Sequence, residues 1–208
     1  MIDHNHKYLI AQAFLACEAV KVAEPGQAFR LRSGRSSDYY VDCRKVTLSS
    51  KGAALLGEGF VQELRKIIID LHYGPPLAGP ILCLGATGVG GQALLGATLA
   101  VAGQSGLPLC GFVDRGLTKA HGLLQRFEGQ LRPDLPVVLL DDILTTGGTL
   151  VELTSALKAE LQVEPVAALY AVDREEGGAE RLADCNLKAR AMLTAAELLE
   201  LAGLRKSP

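Results

Sequence analysis

Two adjacent carboxylates, Asp141 and Asp142, are followed at once by a segment rich in hydroxyls and glycines. That segment contains Thr145, Thr146, Gly147, Gly148 and Thr149. Carboxylates accept hydrogen bonds from sugar hydroxyls, while hydroxyls and free backbone N–H groups before a helix bind phosphate. The combination predicts a site for a sugar 5-phosphate with free 2- and 3-hydroxyls. An ordinary capped turn between a strand and a helix would not need so many of these groups.

A second glycine-rich segment, residues 85–91, follows an apolar run. Small residues let a ligand approach the backbone, and successive N–H groups bind anions. Alone, the segment is equally consistent with a plain loop, but beside a phosphate site it predicts a second anion site, suited to a diphosphate. The G-x-G-x-x-G spacing of a dinucleotide-binding turn is absent, which argues against a nicotinamide or flavin cofactor.

Three cationic or titratable side chains, Arg115, Lys119 and His121, lie in residues 115–132, which are polar and weakly periodic. We expect a long loop here, and long loops in compact domains are often lids over a site. These side chains would then meet a diphosphate leaving group. The alternative is a solvated loop with routine charges.

Residues 29–44 are dense in cations, hydroxyls and aromatic rings, among them Arg32, Tyr39 and Tyr40. Guanidinium groups suit planar anions and aromatic rings stack on flat bases. Arg174 follows another apolar run and would point into the same crevice. Taken alone, the first segment also fits an exposed hairpin, and Arg174 also fits a surface pair with Asp173.

Alternating strands and helices must position these groups. Apolar runs predict strands at residues 81–84, 107–113, 137–140, 165–172 and 189–193. Helices are expected at residues 8–21, 51–71, after the glycine segment to about residue 102, at 148–161 and from 195. This order predicts an α/β fold, a mainly parallel sheet flanked by helices with the site at its carboxyl edge. Residues 1–208 would form one domain, with residues 1–46 as a small N-terminal flap or hood.

Composition narrows the function classes. The net charge of −2 gives no basic field for nucleic acid, and 49% hydrophobic residues support a substantial core. No apolar run reaches the roughly 20 residues of a membrane span, and the first residues lack the layout of a signal peptide. Five cysteines without a C-x-x-C pair favour a reducing cytoplasm and argue against structural zinc.

The segment 137–149 resembles the phosphoribosyl-diphosphate (PRPP) motif of the type I phosphoribosyltransferases. Three further motifs resemble the orotate phosphoribosyltransferases more specifically. They are Phe-x-Leu-x-Ser-Gly-x-x-Ser-x-x-Tyr at 29–40, Lys-x-His-Gly at 119–122 and Asp-Arg at 173–174. The resemblance covers residues 29–200 and implies the type I fold with a hood, transfer of ribose 5-phosphate from PRPP to orotate, Mg²⁺ carried mainly by PRPP, and a homodimer whose mobile loop reaches the neighbouring subunit.

The resemblance also implies residue roles. Asp141 and Asp142 would hold the ribose hydroxyls and residues 145–149 the 5-phosphate. The remaining assignments are Arg32 at PRPP or product, Tyr39 and Tyr40 beside the base, Arg115, Lys119 and His121 at the diphosphate, and Arg174 at the orotate carboxylate. Of these, Lys119 matches the loop lysine most closely tied to catalysis.

Two positions depart from the family pattern, because Val89 and Gly116 stand where the family has lysines near the diphosphate. Two alternatives therefore stay open. One is a paralogue that uses another base, against which Arg174 argues because adenine and hypoxanthine have no carboxylate. The other is a PRPP-binding regulatory protein, against which the retained Lys119 and the absence of a recognisable DNA-binding segment argue.

Overall fold

The computed structural model describes residues 3–30, 36–72, 79–116 and 125–204. Its helices are α1 (His4–Ala16), α2 (Arg44–Thr47), α3 (Ser50–Asp70), α4 (Gly88–Gln104), α5 (Gly148–Leu161), α6 (Gly178–Asp184) and α7 (Ala195–Leu201). Its strands are β1 (Val20–Val22), β2 (Phe29–Arg30), β3 (Ser36–Ser37), β4 (Tyr39–Val41), β5 (Leu82–Thr87), β6 (Leu109–Asp114), β7 (Phe127–Gly129), β8 (Val137–Leu144), β9 (Ala167–Asp173) and β10 (Lys188–Thr194).

A six-stranded sheet in the order β10-β9-β8-β5-β6-β7 forms the centre of the fold. Neighbouring strands are parallel except β7, which pairs antiparallel with the end of β6. β8 and β9 read as continuous apolar runs because both faces of the sheet are covered. The expected α/β fold with a mainly parallel sheet is confirmed.

Helices cover the two faces of the sheet unequally. On one face α1, α3, α4 and α7 bury a core that includes Phe14, Phe60 and Leu140. On the other face α5 and α6 enclose Tyr170 and Leu150. The two glycine-rich segments therefore lead into helices on opposite faces, since residues 85–91 lead into α4 and residues 145–149 into α5.

The hood consists of short strands outside the main sheet. β1 pairs antiparallel with β4, with Val20 opposite Val41, and β2 pairs antiparallel with β3. The hood is joined to the core through α2, whose Val46 is fully buried. The expectation of an extended region outside the main sheet at residues 29–46 is confirmed for β2, β3 and β4, but it was wrong for residues 44–46, which lie in α2.

Several element boundaries differ from those expected. The first glycine segment is not a turn, because β5 continues through Gly85 to Thr87 and α4 begins at Gly88. Position 85 of the strand needs glycine because a β-carbon there would collide with the Phe112 ring. α1 runs from His4 to Ala16, so it begins and ends earlier than the helix expected at residues 8–21. Asp3 caps it by accepting the His6 N–H at 2.8 Å.

The sequence patterns also missed β1, α2, β7 and α6, and the full length of β8. β7 lies inside the expected long loop, α6 follows Gly177, and β8 extends past the acid pair to Leu144. By contrast, α5 has the expected bounds, and Ser49 caps α3 by accepting the Gly52 N–H at 3.1 Å. No helix in the described ranges is both long and apolar enough to cross a lipid bilayer.

Candidate active site

The acid pair lies at the carboxyl edge of the sheet, just past the point where the neighbouring β5 stops pairing with β8 at Ala86 and Leu140. Asp142 donates its backbone N–H to Asp141 Oδ1 at 2.9 Å. Burial raises the pKa of the Asp141 carboxyl well above its usual range, and the nearby Asp142 charge adds to the shift. The pKa of Asp142 is raised as well, chiefly by burial. Such a pair gains from a ligand that donates hydroxyl hydrogens to it.

The two carboxylates face different neighbours, as expected for successive residues of a strand. Asp142 packs directly against Gly90 in the first turn of α4, in the space that a β-carbon at position 90 would fill. Asp141 lines a depression formed with the loop before α5. The pair thus lies between the two glycine-rich segments.

The loop from Thr145 to Gly147 forms the depression beside Asp141. Gly147 has a φ of +72°, in the left-handed region that favours glycine, and α5 begins at the next residue. The first N–H groups of a helix have no acceptor within it. Within the described ranges no hydrogen bond occupies the hydroxyls of Thr145, Thr146 or Thr149. The depression has a volume of about 90 Å³, roughly that of three waters, which suits one phosphate group.

Two residues of α6, Gly178 and Arg181, support this loop. A β-carbon at Gly178 would collide with the Thr145 carbonyl oxygen, so the two turns can pack together only with glycine here. Arg181 donates from Nη1 to the Thr146 carbonyl oxygen at 3.3 Å. Neither contact was predicted from the sequence, because no local pattern links α6 to a loop 30 residues before it.

Arg174 is buried, with 8% of its surface exposed. Its backbone N–H donates to the Leu144 carbonyl oxygen at 2.9 Å, which ties it to the end of β8. The guanidinium lies 4.9 Å from the centre of the Tyr39 ring and donates from Nη2 to Ser37 Oγ at 3.3 Å. Its Nε lies 2.8 Å from Glu176 Oε1 in an ion pair without hydrogen-bond geometry. The structure therefore brings Arg174 and Tyr39 together, as an anion site with an aromatic wall.

Tyr40 is not part of this contact. It follows Tyr39 in β4, so its side chain lies on the opposite face of the strand. There its ring packs on Phe29, with centroids 5.8 Å apart. The structure thus brings one of the two predicted base-side tyrosines to Arg174.

Cys43 places the hood over the site. The thiol is buried, and burial raises its pKa well above the usual range. The charges of Asp142 and Asp141 raise it further, while the charge of Arg174 acts in the opposite direction. Cys43 therefore lies within electrostatic range of the acid pair and of Arg174. The register of β8 with β9, which pairs Leu144 with Asp173, places the acid pair and Arg174 at the same edge of the sheet.

Arg115 lies at the end of β6 and pairs with Glu128, with Nη1 2.7 Å from Oε1. Gly116 follows with a φ of +70° and donates its N–H to Asp114 Oδ1 at 2.8 Å. A lysine at position 116 would be strained in this conformation. Arg115 is thus placed beside β7 and is not in contact with the acid pair. The predicted residues Arg32, Lys119 and His121 lie outside the described residues.

A buried ion pair at the base of segment 117–124 was not predicted from the sequence. Arg126 donates from Nε to Asp114 Oδ1 at 2.9 Å and from Nη2 to Oδ2 at 3.2 Å. Its Nη1 reaches Glu160 on α5 at 3.0 Å. The network connects both flanks of the segment to the helix that follows the phosphate loop.

A larger cavity, of about 260 Å³, lies near the start of β6 between Leu99, Leu107 and Gln130. It is at the end of the strand opposite the acid pair, and none of its lining residues is charged. A phosphorylated substrate needs cations and anion-binding backbone groups, so the crevice at the acid pair is the better candidate site despite its smaller volume.

Comparisons with known proteins show the family of this chain. No protein-family model matches the chain. The orotate phosphoribosyltransferase of Rhodopirellula baltica is 32% identical over 88% of this chain and 89% of that protein. The Aquifex aeolicus orotate phosphoribosyltransferase is 30% identical over 87% of this chain and 91% of that protein. The crystal structure of Mycobacterium tuberculosis orotate phosphoribosyltransferase in complex with inorganic phosphate matches with a TM-score of 0.68 at 26% identity, over 93% of this chain and 98% of that one. This chain belongs to the orotate phosphoribosyltransferase family.

Proposed function

We propose that this chain transfers ribose 5-phosphate from PRPP to orotate, giving orotidine 5-phosphate and diphosphate, a step of pyrimidine synthesis. One observation carries the proposal: the acid pair, a phosphate-sized depression and the buried Arg174 lie at the same edge of the sheet. A phosphorylated pentose would occupy the first two, and an anionic base the third.

The acid pair would hold the 2- and 3-hydroxyls of the ribose. Each hydroxyl donates a hydrogen bond to a carboxylate oxygen, which favours the ionised form of Asp141 and Asp142. The anomeric carbon becomes positive as the diphosphate leaves, and the fixed negative field of the pair stabilises that charge. The 5-phosphate would bind in the depression at residues 145–149, so the sugar is held at both ends.

Arg174 would select the base. Its guanidinium matches a carboxylate in shape and charge, and the Tyr39 ring 4.9 Å away fixes its plane. Glu176 and Ser37 already contact the guanidinium, and a base without a carboxylate would gain no charged hydrogen bond from it, so such a base would bind more weakly. The site therefore favours orotate over uracil or a purine.

The diphosphate would leave on the α4 side of the acid pair. We assign Arg115, Lys119 and His121 to the leaving group by family resemblance, with Arg32 at PRPP or product and Tyr40 near the base. Mg²⁺ fits the acid pair, because carboxylate and phosphate oxygens are its preferred ligands. When bound, it would neutralise charge on the departing diphosphate. By family resemblance, the ion would be carried mainly by PRPP.

The assembly and compartment follow from the same proposal. We infer a homodimer in which residues 117–124 contribute to the neighbouring subunit's site. A cytoplasmic location is supported by the five cysteines, all of which are free thiols.

A second function, PRPP binding without turnover in a regulatory protein, is favoured by one observation. Val89, where the family has a lysine, lies in the first turn of α4 and is 64% exposed. The diphosphate side of the site therefore lacks that cation.

The decrease in ultraviolet absorbance as orotate is consumed separates these functions. We expect a decrease when purified protein, PRPP, Mg²⁺ and orotate are mixed, and none when PRPP or Mg²⁺ is left out. Consumption of uracil, adenine or hypoxanthine in place of orotate would indicate another acceptor. Saturable PRPP binding by calorimetry, with no base consumed, would indicate the regulatory protein.

A further inference from the structure

We propose that Arg44 binds the diphosphate of PRPP and supplies the cation that Val89 does not. The inference rests on the proposed function and assigns a residue that the family resemblance left without a role. Four observations support it: the packing of α2 against α4, the effect of the Arg44 charge on Asp142, the N–H donors that remain on Arg44, and the contacts that the neighbouring cations already make.

The packing places Arg44 on the diphosphate side. Arg44 is the first residue of α2, and α2 packs against α4, the helix whose first turn carries Val89 and Gly90. Residues of the phosphate loop instead lead into α5 on the other face of the sheet. An α2 side chain at the crevice is therefore closer to the leaving group than to the 5-phosphate.

The electrostatics place the Arg44 charge near the acid pair. Burial raises the pKa of Asp142, hydrogen bonds with Asp141 and with the backbone oppose that rise, and the Arg44 charge adds to this opposition. Arg44 therefore lies within electrostatic range of the acid pair. Asp142 is the member of the pair that lies against Gly90, on the α4 side. The preceding residue, Cys43, is buried within electrostatic range of both acids. Arg44 therefore lies at the rim of the crevice.

The side chain of Arg44 is held in place but keeps free donors. Asp42 accepts from Nε at 2.8 Å and from Nη2 at 3.0 Å, and half of the Arg44 side chain remains exposed. A guanidinium has further N–H donors beyond the two used here. Because Asp42 fixes its orientation, little rotamer entropy is lost when a phosphate binds.

The other described cations near the crevice make different contacts. Lys45 donates to the Glu18 carbonyl oxygen at 3.2 Å, inside the hood. Arg115, assigned above to the leaving group, lies beside β7 and pairs with Glu128, and Arg181 supports the phosphate loop on the opposite face. Of these four described cations, Arg44 is the one at the start of α2, the helix that packs against α4.

The test compares Arg44→Gln with a matched control, Arg132→Gln. Arg132 makes the same kind of pair, with Nε 2.9 Å and Nη2 2.6 Å from the carboxylate of Asp134, and is exposed to a similar degree. It precedes β8 and so lies at the amino edge of the sheet, away from the acid pair. Each variant is assayed for the PRPP KM and for inhibition by inorganic diphosphate and by ribose 5-phosphate.

We expect Arg44→Gln to raise the PRPP KM and the diphosphate inhibition constant about tenfold or more, as for loss of a charged phosphate contact. The ribose 5-phosphate constant should change less than about twofold, and Arg44→Lys should recover part of the loss because it keeps the charge. Arg132→Gln should match the wild type in all three constants.

The inference would be overturned if Arg44→Gln and Arg132→Gln had the same PRPP KM and the same inhibition constants for diphosphate and ribose 5-phosphate. An equal rise in the diphosphate and ribose 5-phosphate constants would also overturn it, because that result indicates a general disturbance of the site. Failure of the proposed function is distinct from both results, since the wild type itself would then consume no orotate.

Discussion

The carboxylate of Asp142 lies against the Cα of Gly90, in the space that a β-carbon at position 90 would occupy. Gly90 has no left-handed φ, so glycine is needed here for space alone. We expect Gly90→Ala to displace Asp142 and lower kcat/KM by about 100-fold, the cost of an ångström-scale misplacement. Steady-state assays with orotate and PRPP measure this loss.

Gly96→Ala is the matched control. Gly96 lies in the same helix, and a β-carbon at position 96 would meet no other group within 4 Å. The variant should keep full activity and gain roughly 0.5–1 kcal/mol in unfolding free energy from the helix propensity of alanine. If Gly90→Ala proved as active as Gly96→Ala, the close approach would have no role in holding Asp142.

Asp141→Asn should stabilise the protein while it inactivates the enzyme. Because the pKa of Asp141 is raised in the folded state, ionisation of this group opposes folding. In the wild type this cost begins near the unfolded pKa of about 4 and grows until the pH exceeds the folded pKa. Melting temperatures measured from pH 4 to 8 should therefore show a widening advantage for the variant.

Asp134→Asn serves as the comparison, because its effect on stability should have the opposite dependence on pH. The pKa of Asp134 is lowered by its hydrogen bond with Arg132, so its small contribution to stability is present above the unfolded pKa and is lost as the pH falls. An Asp141→Asn variant that melted below the wild type at pH 8 would contradict the assigned burial of its charge.

Arg174→Ala should raise the orotate KM by roughly tenfold or more and the PRPP KM by less than about threefold. The reason is that its guanidinium lies beside Tyr39, on the base side of the crevice. Arg190→Ala is the control, because Arg190 on the neighbouring β10 pairs with Asp70 at 2.6 Å and has no predicted ligand. Equal rises in the two KM values for Arg174→Ala would remove Arg174 from base recognition.

Arg126→Gln should destabilise the fold by about 3 kcal/mol, since it leaves the buried Asp114 carboxylate without its ion-pair partner. The side chains of Arg126 and Asp114 are 13% and 5% exposed. Urea unfolding measures the change, and Arg132→Gln in the exposed pair with Asp134 should change stability by less than about 1 kcal/mol. Similar unfolding free energies for the two variants would show that burial gives the Asp114 pair no added importance.

Local patterns predicted the parts of the site that lie close together in sequence. The acid pair, the Thr–Gly loop and α5 are consecutive, so their spacing alone fixes their order at the sheet edge. The end of β8 was missed because Asp141 and Asp142 face the crevice, and the apolar run that predicts a buried strand stops before them.

Contacts between distant segments could not be predicted. Arg181 reaches Thr146, and Arg126 reaches Glu160, only because the sheet order places their elements side by side. The role of Arg44 likewise depends on the packing of α2 against α4. The family resemblance predicted both Tyr39 and Tyr40 beside the base, but strand geometry places the two rings on opposite faces.

A crystal structure of this protein with orotidine 5-phosphate tests the central claim most directly. We predict the phosphate at residues 145–149, the ribose hydroxyls within hydrogen-bond distance of Asp141 and Asp142, and the orotate carboxylate paired with Arg174. A nucleotide bound with its phosphate elsewhere, and with both carboxylates free of the sugar, would contradict the account.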